Sequence, residues 1–225
     1  MAGVVNGSSV LGIAFDGGVI VAADTLVSYG SMARFRNCER IKVVNNHTVV
    51  AATGDYADYQ YLTRIIRQKQ INEKQWNDGL ELYPGALHSW ITRVAYNKRS
   101  KMQPLWNAWV VGGLQPNEAN DNKLEPFLGF VDKLGTAYKS NVIATGFGQH
   151  LGTPLFRELT DNTDRLPTEA EARALVTKCM EVLYYRDARS LPRYQVAVIK
   201  ADGVHQEGPI EFKGDWQIAH KVAAY

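Results

Sequence analysis

The sequence is poor in cysteine, in long apolar runs and in excess charge, and these shortages rule out several classes of protein. Only two cysteines occur in 225 residues, and Cys38 and Cys179 lack the spacing of metal ligands, which argues against a disulfide scaffold or a cysteine metal site. The longest apolar stretches, such as residues 19–23, fall far below the roughly 20 residues that span a bilayer. The net charge of +2 gives no reason to expect nucleic acid or an anionic membrane as a partner.

Several catalytic and ligand-binding motifs are also missing. The histidines are scattered, with no pair four residues apart, so no metal site is expected; they are His47, His88, His150, His205 and His220. The glycines at 112–113 and 146–148 lack the lysine and helix of a phosphate loop, and no Gly-x-Ser-x-Gly occurs. We therefore expect no cofactor. The N-terminus lacks the basic and apolar regions of a signal peptide, which favours a reducing intracellular compartment.

The composition that remains is that of an ordinary globular protein. Hydrophobic residues make up 45% of the chain and charged residues 21%. A folded chain of this size buries about 70% of the surface that its unfolded form exposes, so a large core needs no disulfides. No linker, repeat or low-complexity block divides the sequence. We therefore expect one domain over residues 1–225, with a short N-terminal extension at 1–7.

The first fifty residues have the pattern of β hairpins. Apolar runs at 10–15 and 19–23 flank Asp16-Gly17-Gly18, a strong turn signal. A second pair of strands is predicted at 41–44 and 48–52, around an asparagine-rich turn.

From Asp55 the apolar period changes to that of amphipathic helices. The first predicted helix has an apolar face at Tyr59, Leu62, Ile65 and Ile66. The second begins near Pro84 and has its stripe at Leu87, Trp90, Ile91, Val94 and Ala95. A short helix is expected at 149–160. The last begins at the capping box Thr168–Glu171, with an apolar face at Ala172, Leu175, Val176, Cys179 and Leu183.

The remaining strands are expected between and after the helices. They are predicted at 106–111, 126–131, 137–140 and 194–199, with a polar surface loop at 115–123. Strands thus precede, separate and follow the helices. This order favours an α+β fold in which antiparallel sheets pack on each other beneath outer helices.

Three segments in this order resemble the proteasome β-type subunits. The opening Gly7-Ser8-Ser9-Val10 leads through Phe15-Asp16-Gly17-Gly18 to Asp24. The segment 52–58 looks like the family's glycine-bearing turn into its first helix, and 185–190 looks like its Arg-Asp-Ala-x-Ser segment. Other segments are similar to a non-catalytic member of the family; they are 29–36, 54–62, 99–102 and 104–107.

The resemblance implies a fold, an assembly and a location. The fold is the N-terminal-nucleophile hydrolase type, a four-layer αββα sandwich. The assembly is the 20S core particle of four stacked seven-membered rings, in the cytoplasm and nucleus. The implied partners are neighbouring β subunits of the same ring, α subunits below and β subunits of the opposite ring. Active members cut peptide bonds with an N-terminal threonine, whose own α-amine takes the proton.

The resemblance also assigns site positions, and several of them depart from the active pattern. These positions are Ser8, Asp24, Arg40, Gly54, Asp187 and Ser190. Residues precede Ser8, so it carries an amide nitrogen, which is not a base at neutral pH. Arg40 stands where the family has lysine, and a guanidinium with a pKa above about 12 does not shuttle a proton. Phe147 is expected to crowd the site. We expect a catalytically silent structural subunit that completes the β ring.

Other interpretations stay open at this stage. Cleavage before Ser8 would make it a self-processed serine nucleophile, or the chain would be a stand-alone binding module that shares the fold. The retained residues also have structural interpretations, which we favour over residual catalysis. Asp24 would hold the turn after its strand, and Gly54 would allow tight backbone. Asp187 and Ser190 would fix the end of the last helix by side-chain-to-backbone hydrogen bonds.

The C-terminal tail is expected to serve assembly. The tail at 207–225 is long for an unattached terminus, and the resemblance implies that it reaches into the opposite β ring. Its apolar anchors would be Trp216, Ile218, Val222 and Tyr225. The alternative is a tail that folds back on its own domain or frays. The basic residues Arg34, Arg36 and Arg40 are expected to face solvent or an interface.

Overall fold

Two antiparallel sheets lie face to face, and helices cover the outer side of each. The computed structural model describes residues 4–78, 81–117, 123–160 and 165–217. The strands are β1 (Val5–Gly7), β2 (Val10–Phe15), β3 (Gly18–Asp24), β4 (Val27–Tyr29), β5 (Met32–Phe35), β6 (Ile41–Asn45), β7 (Thr48–Asp55), β8 (Asn107–Asn117), β9 (Lys123–Val131), β10 (Ala137–Lys139), β11 (Val142–Ala144), β12 (Arg193–Lys200) and β13 (Gly203–Glu211). The helices are α1 (Tyr56–Trp76), α2 (Pro84–Ser100), α3 (Gly148–Thr160) and α4 (Glu169–Arg186). The predicted four-layer αββα sandwich is confirmed.

The sheets have different strand orders. The eight-stranded sheet has the order β10-β9-β8-β7-β1-β4-β5, with β6 also paired to β7. The five-stranded sheet has the order β11-β2-β3-β12-β13. In the larger sheet, the three-residue strand β1 is the only link between β7 and the β4–β5 hairpin among the described residues.

Three apolar clusters hold the layers together. The central cluster joins the inner faces of both sheets and includes Val10, Val21, Val49 and Val110. A second cluster lies between the larger sheet and the helices α1 and α2, and a third lies between the smaller sheet and α3 and α4. The apolar stripes predicted for α1, α2 and α4 supply the helical side of these outer clusters.

Local signals in the sequence explain where several elements begin. The β2–β3 turn places Gly17 at φ +89°, in the left-handed region that glycine tolerates. Asp55 caps α1, since its side chain accepts hydrogen bonds from the amides of Ala57 and Asp58. Thr168 and Glu171 form the predicted capping box at the start of α4.

Other elements differ from the prediction. Strands β1, β4, β5 and β11 were not expected, because they are only three or four residues long. The β8–β9 hairpin runs through both ends of the expected polar loop, and the part at 118–122 lies outside the described residues. Residues 207–211, expected to belong to the tail, form the end of β13.

Candidate functional site

Most of the positions that the family resemblance assigns converge at one end of the molecule. Ser8 follows β1, Asp24 ends β3, and Arg40 directly precedes β6. Gly54 lies in β7, beside Gly7 of β1. Asp187 ends α4 and carries its carboxylate to the hydroxyl of Ser8. The larger sheet, the smaller sheet and α4 therefore each bring a residue to this site.

Arg40 is the centre of the site. Its side chain is 1% exposed, so the long basic chain is wholly inside the protein. One terminal nitrogen donates to the carboxylate of Asp24, and the other donates to the carbonyls of Ser8 and, at 3.2 Å, Ala52. The rigid fork of the guanidinium allows these partners to be held at once, which a single ammonium group would not match. This burial corrects the expectation that Arg40 belongs to a surface basic segment; Arg34 and Arg36 are exposed as expected.

Gly7 is required by the position of Arg40. A Cβ at residue 7 would lie 2.5 Å from Nε of Arg40, far inside van der Waals contact. The residue before Ser8 must therefore be glycine for the buried guanidinium to pack against the backbone. Packing against Arg40 therefore explains the glycine at position 7 without any cleavage of the Gly7–Ser8 bond.

Asp24 is the buried counter-ion of Arg40. The sequence suggested that it holds the turn after β3, and in the structure its carboxylate is paired with Arg40. Burial raises the pKa of Asp24 to about 6, the charge of Asp187 adds to this rise, and the charge of Arg40 opposes it. The carboxylate thus depends on one guanidinium for its charge balance.

The hydroxyl of Ser8 donates a hydrogen bond to a carboxylate oxygen of Asp187. The carbonyl of Ser8 is held by Arg40, and its nitrogen is in the peptide bond to Gly7. The nucleophile position is therefore fixed on both sides by protein groups. The sequence did not predict the Ser8–Asp187 contact, since the two residues lie 179 positions apart.

Asp187 and Ser190 close the end of α4. The second carboxylate oxygen of Asp187 accepts from the amide of Arg189 at 2.8 Å. The hydroxyl of Ser190 donates to the carbonyls of Leu183, at 3.0 Å, and Asp187, at 2.8 Å. These bonds agree with the expected structural role at the helix end. Asp187 thus joins that end to Ser8, while Ser190 stays within it.

Gly54 allows a close approach between two strands of the larger sheet. Its φ is +102°, and an added Cβ would lie 2.1 Å from the carbonyl oxygen of Trp106. Only glycine fits this backbone. The residue is therefore explained by packing, as its structural interpretation predicted.

A small cavity of about 140 Å³ remains beside the nucleophile position. It is lined by Ser8, Thr53, Asp187 and Phe147, together with neighbouring residues. Phe147 is 56% exposed and stands at this cavity, as its position in the sequence suggested. The hydroxyls of Thr53 and Thr145 form a hydrogen bond with each other, which the sequence did not predict.

The expected tail anchors are only partly described. Trp216 contacts Tyr184 and Tyr185 of its own chain. Ile218, Val222 and Tyr225 lie outside the described residues. Trp216 therefore has a partner within the domain, which the alternative of a tail folded back on its own chain anticipated.

The described ranges contain neither an arrangement of metal ligands nor a membrane-spanning helix. In that part of the chain no group of histidine, cysteine or acidic residues is arranged to hold a metal ion. No helix there is long and apolar enough to cross a bilayer.

The sequence matches a known family over most of its length. The family described as "Proteasome subunit" matches residues 4–199. The chain is 54% identical to "Proteasome subunit beta type-4" of Xenopus laevis, over 98% of this chain and 88% of that protein. It is 46% identical to the protein of the same name in Drosophila melanogaster, over 98% and 80% of the two chains. It is 37% identical to "Proteasome subunit beta type-7" of Saccharomyces cerevisiae, over 99% and 84%. These matches agree with the N-terminal-nucleophile hydrolase architecture of the structure, and they show that the chain belongs to the proteasome β subunit family.

Proposed function

We propose that this chain is a non-catalytic, structural β subunit of the 20S proteasome core. It completes the β ring and helps two half-particles join, within a threonine protease complex that carries out ATP- and ubiquitin-dependent protein degradation. The observation that carries the proposal is the strand ahead of Ser8. Strand β1 pairs with β4 on one side and with β7 on the other, so it fills the space where an extended peptide would add to either strand.

The proton chemistry at Ser8 supports the same conclusion. An N-terminal nucleophile loses its proton to its own α-amine, whose pKa of about 7.7–8.0 suits a base at neutral pH. Ser8 has an amide nitrogen instead, directly after a strand that is paired on both sides. The hydroxyl of Ser8 donates instead to the carboxylate of Asp187, and carboxylates are much weaker bases than amines.

Arg40 removes a second part of the catalytic arrangement. It stands at the family's lysine position, and arginine, unlike lysine, does not serve as a proton shuttle. The two terminal nitrogens of its guanidinium donate to Asp24 and to the carbonyls of Ser8 and Ala52. The group therefore acts as a fixed structural cation.

Mass spectrometry of the subunit released from its native particle tests the proposal. We expect an intact mass that includes Asn6 and Gly7. We also expect no adduct after treatment with a peptide epoxyketone, which needs a hydroxyl and a free α-amine on one residue. The catalytic subunits of the same particle provide the positive control. A mass that begins at Ser8, with an adduct on this subunit, would show instead that the chain is a serine peptidase.

Exposed apolar side chains support assembly with other subunits of the particle. The β4–β5 hairpin exposes Tyr29, Met32 and Phe35, beside the cation of Arg34. Such a grouping at a sheet edge is typical of a protein–protein interface. The partners we propose are the neighbouring β subunits of the ring, the α subunits below and, through the C-terminal tail, β subunits of the opposite ring. The proposed location is the cytoplasm and nucleus.

Truncation after Gln217 tests the function of the tail while it keeps every described residue. We expect half-particles to accumulate and to join more slowly on native gels, because the apolar anchors beyond Gln217 would be lost. A second variant keeps the length and replaces Ile218, Val222 and Tyr225 with serine. Normal joining in both variants would exclude the tail from the joining step.

A further inference from the structure

The base of the C-terminal tail is attached to α4 by an aromatic latch, which we define as Tyr184, Tyr185, Phe212 and Trp216. Successive residues of an α-helix project about 100° apart, so the rings of Tyr184 and Tyr185 form the two walls of a notch. The Trp216 ring lies in this notch, with its centroid 5.8 Å from Tyr184 and 5.2 Å from Tyr185. The planes meet at 69° and 71°, which is the edge-to-face arrangement that aromatic pairs favour.

Hydrogen bonds place the tail in this notch. The indole N–H of Trp216 donates to the hydroxyl of Tyr184 at 3.1 Å, and the amide of Asp215 donates to the hydroxyl of Tyr185 at 2.6 Å. Each tyrosine therefore contributes both a ring contact and a hydroxyl that accepts a hydrogen bond. These hydrogen bonds fix the orientation of the tail relative to α4, which apolar packing alone would not do.

The segment that leads to the notch is held as well. The amide of Phe212 donates to the carbonyl of Pro192 at 3.1 Å, and its ring stands 5.3 Å from that of Tyr184 at 81°. Gly214 lies so close to Tyr184 that an added Cβ would be 2.6 Å from a ring carbon. Contacts to the domain thus recur from the end of β13 to Trp216.

We infer that the aromatic latch fixes the point and direction at which the tail leaves the domain, and that Tyr184 and Tyr185 are positioning residues for the joining of half-particles. This inference rests on the proposed function of the tail. A tail fixed at its base loses less conformational freedom when its end binds a partner than one that is free from Glu211 onward. Trp216 then acts within its own chain, whereas the sequence suggested an anchor in the opposite ring.

Hydrogen–deuterium exchange of half-particles tests whether the latch exists. In Trp216→Ala we expect the amides of 212–217 to exchange about tenfold faster, because two ring contacts are lost. In Tyr185→Phe we expect faster exchange chiefly at the amide of Asp215, since only the accepting hydroxyl is removed. The control is Trp76→Ala, which removes an exposed indole at the end of α1. Unchanged exchange in both latch variants would overturn the inference.

The rate of joining tests the positioning role. We expect Tyr185→Leu and Trp216→Ala each to slow joining, and the double variant to be no slower than the slower single variant, because both disrupt one contact. Trp76→Ala should join normally. If Trp216→Ala slows joining and Tyr185→Leu does not, Trp216 acts on another subunit and the positioning role is wrong. If truncation after Gln217 also leaves joining unchanged, the tail function itself fails, and exchange alone decides whether the latch exists.

Discussion

Arg40 shows how one buried residue can hold several backbone segments together. A buried ion pair contributes little net stability, because both charges lose their hydration, but removing one partner is costly. Arg40 and Asp24 are both almost completely buried, and the same guanidinium also holds two backbone carbonyls. The pair therefore fixes β3, the N-terminal segment and β7 relative to one another.

We predict that Arg40→Met lowers the free energy of unfolding by about 3–5 kcal/mol, because it leaves the Asp24 carboxylate buried without a counter-ion. The double variant Asp24→Asn/Arg40→Met should lose much less than the sum of the two single variants. Urea denaturation of the full chain at pH 7.5 gives all four values of the cycle. Additive losses would mean that the two side chains act independently.

The sequence located the residues of the site better than their contacts. The family resemblance assigned Asp24, Arg40 and Asp187 to one site, and the structure brings all three together. It did not show that Asp24 faces Arg40, because that contact depends on how two strands pack in space. Local bonds such as those of Ser190 were predicted correctly, since their partners lie within a few residues.

Secondary-structure elements were predictable where their signals repeat. The helices α1, α2 and α4 have several apolar residues on one face, and α4 also has its capping box. Short strands such as β4 and β5 have too few residues to show a period. Their pairing depends on strands elsewhere in the sheet, so their own residues do not reveal it.

The length of β8 has a specific physical explanation. Pro116 is unusual in a strand because it has no N–H to donate. Strand β7 pairs with β8 only as far as Gly113, and beyond that point β8 pairs with β9 alone. Pro116 therefore lies where β8 has lost one neighbour, which is the edge position that proline tolerates.

We predict that Thr168→Ala destabilises the chain by about 0.5–2 kcal/mol, because the first turn of α4 loses its reciprocal cap. Thr63→Ala is the matched control, since it removes the same hydroxyl from the middle of helix α1, where it donates to the carbonyls of Tyr59 and Gln60 of that helix. That control should stay within about 0.5 kcal/mol of the parent chain. Thermal unfolding followed by circular dichroism compares them, and equal losses would contradict a special role for the cap.

At the scale of the whole molecule, the packed layers bury several polar side chains that have hydrogen-bond partners. His88 is an example, since it lies in the interior between α2 and the larger sheet. Its Nε2 is 2.9 Å from the carbonyl of Phe130, and its ring stands edge-on to Phe127. Burial lowers the pKa of His88 below 6.5, the nearby charge of Lys139 lowers it further, and the carbonyl of Phe130 opposes this.

This burial predicts a pH dependence of stability. An unfolded histidine takes up a proton as the pH falls below about 6.5, whereas folded His88 stays neutral to a lower pH. The unfolded state then binds more protons, so the free energy of unfolding decreases as the pH is lowered through this range. His88→Gln should lose less stability than the parent chain between pH 7.5 and 5.5, as measured by urea denaturation. An identical loss in both would show that other groups cause the dependence.

The overall architecture followed from the sequence because the order of strands and helices and the family resemblance agree. Alternating segments favoured antiparallel sheets beneath helices, and the resemblance added the four layers. The attachment of the tail at its base could not be predicted, because the Trp216 contacts with Tyr184 and Tyr185 join segments about thirty residues apart.

The position of β1 also has a consequence for the order of events during synthesis. This strand is made before both of its partners, yet it lies between β4 and β7 in the larger sheet. Its second partner, β7, ends at Asp55, so residues 5–7 can pair only with β4 until β7 has left the ribosome. Until then the β4–β5 hairpin has no connection to the rest of the sheet within the described structure. Residues 5–7 thus complete a sheet whose other described strands are all made after them.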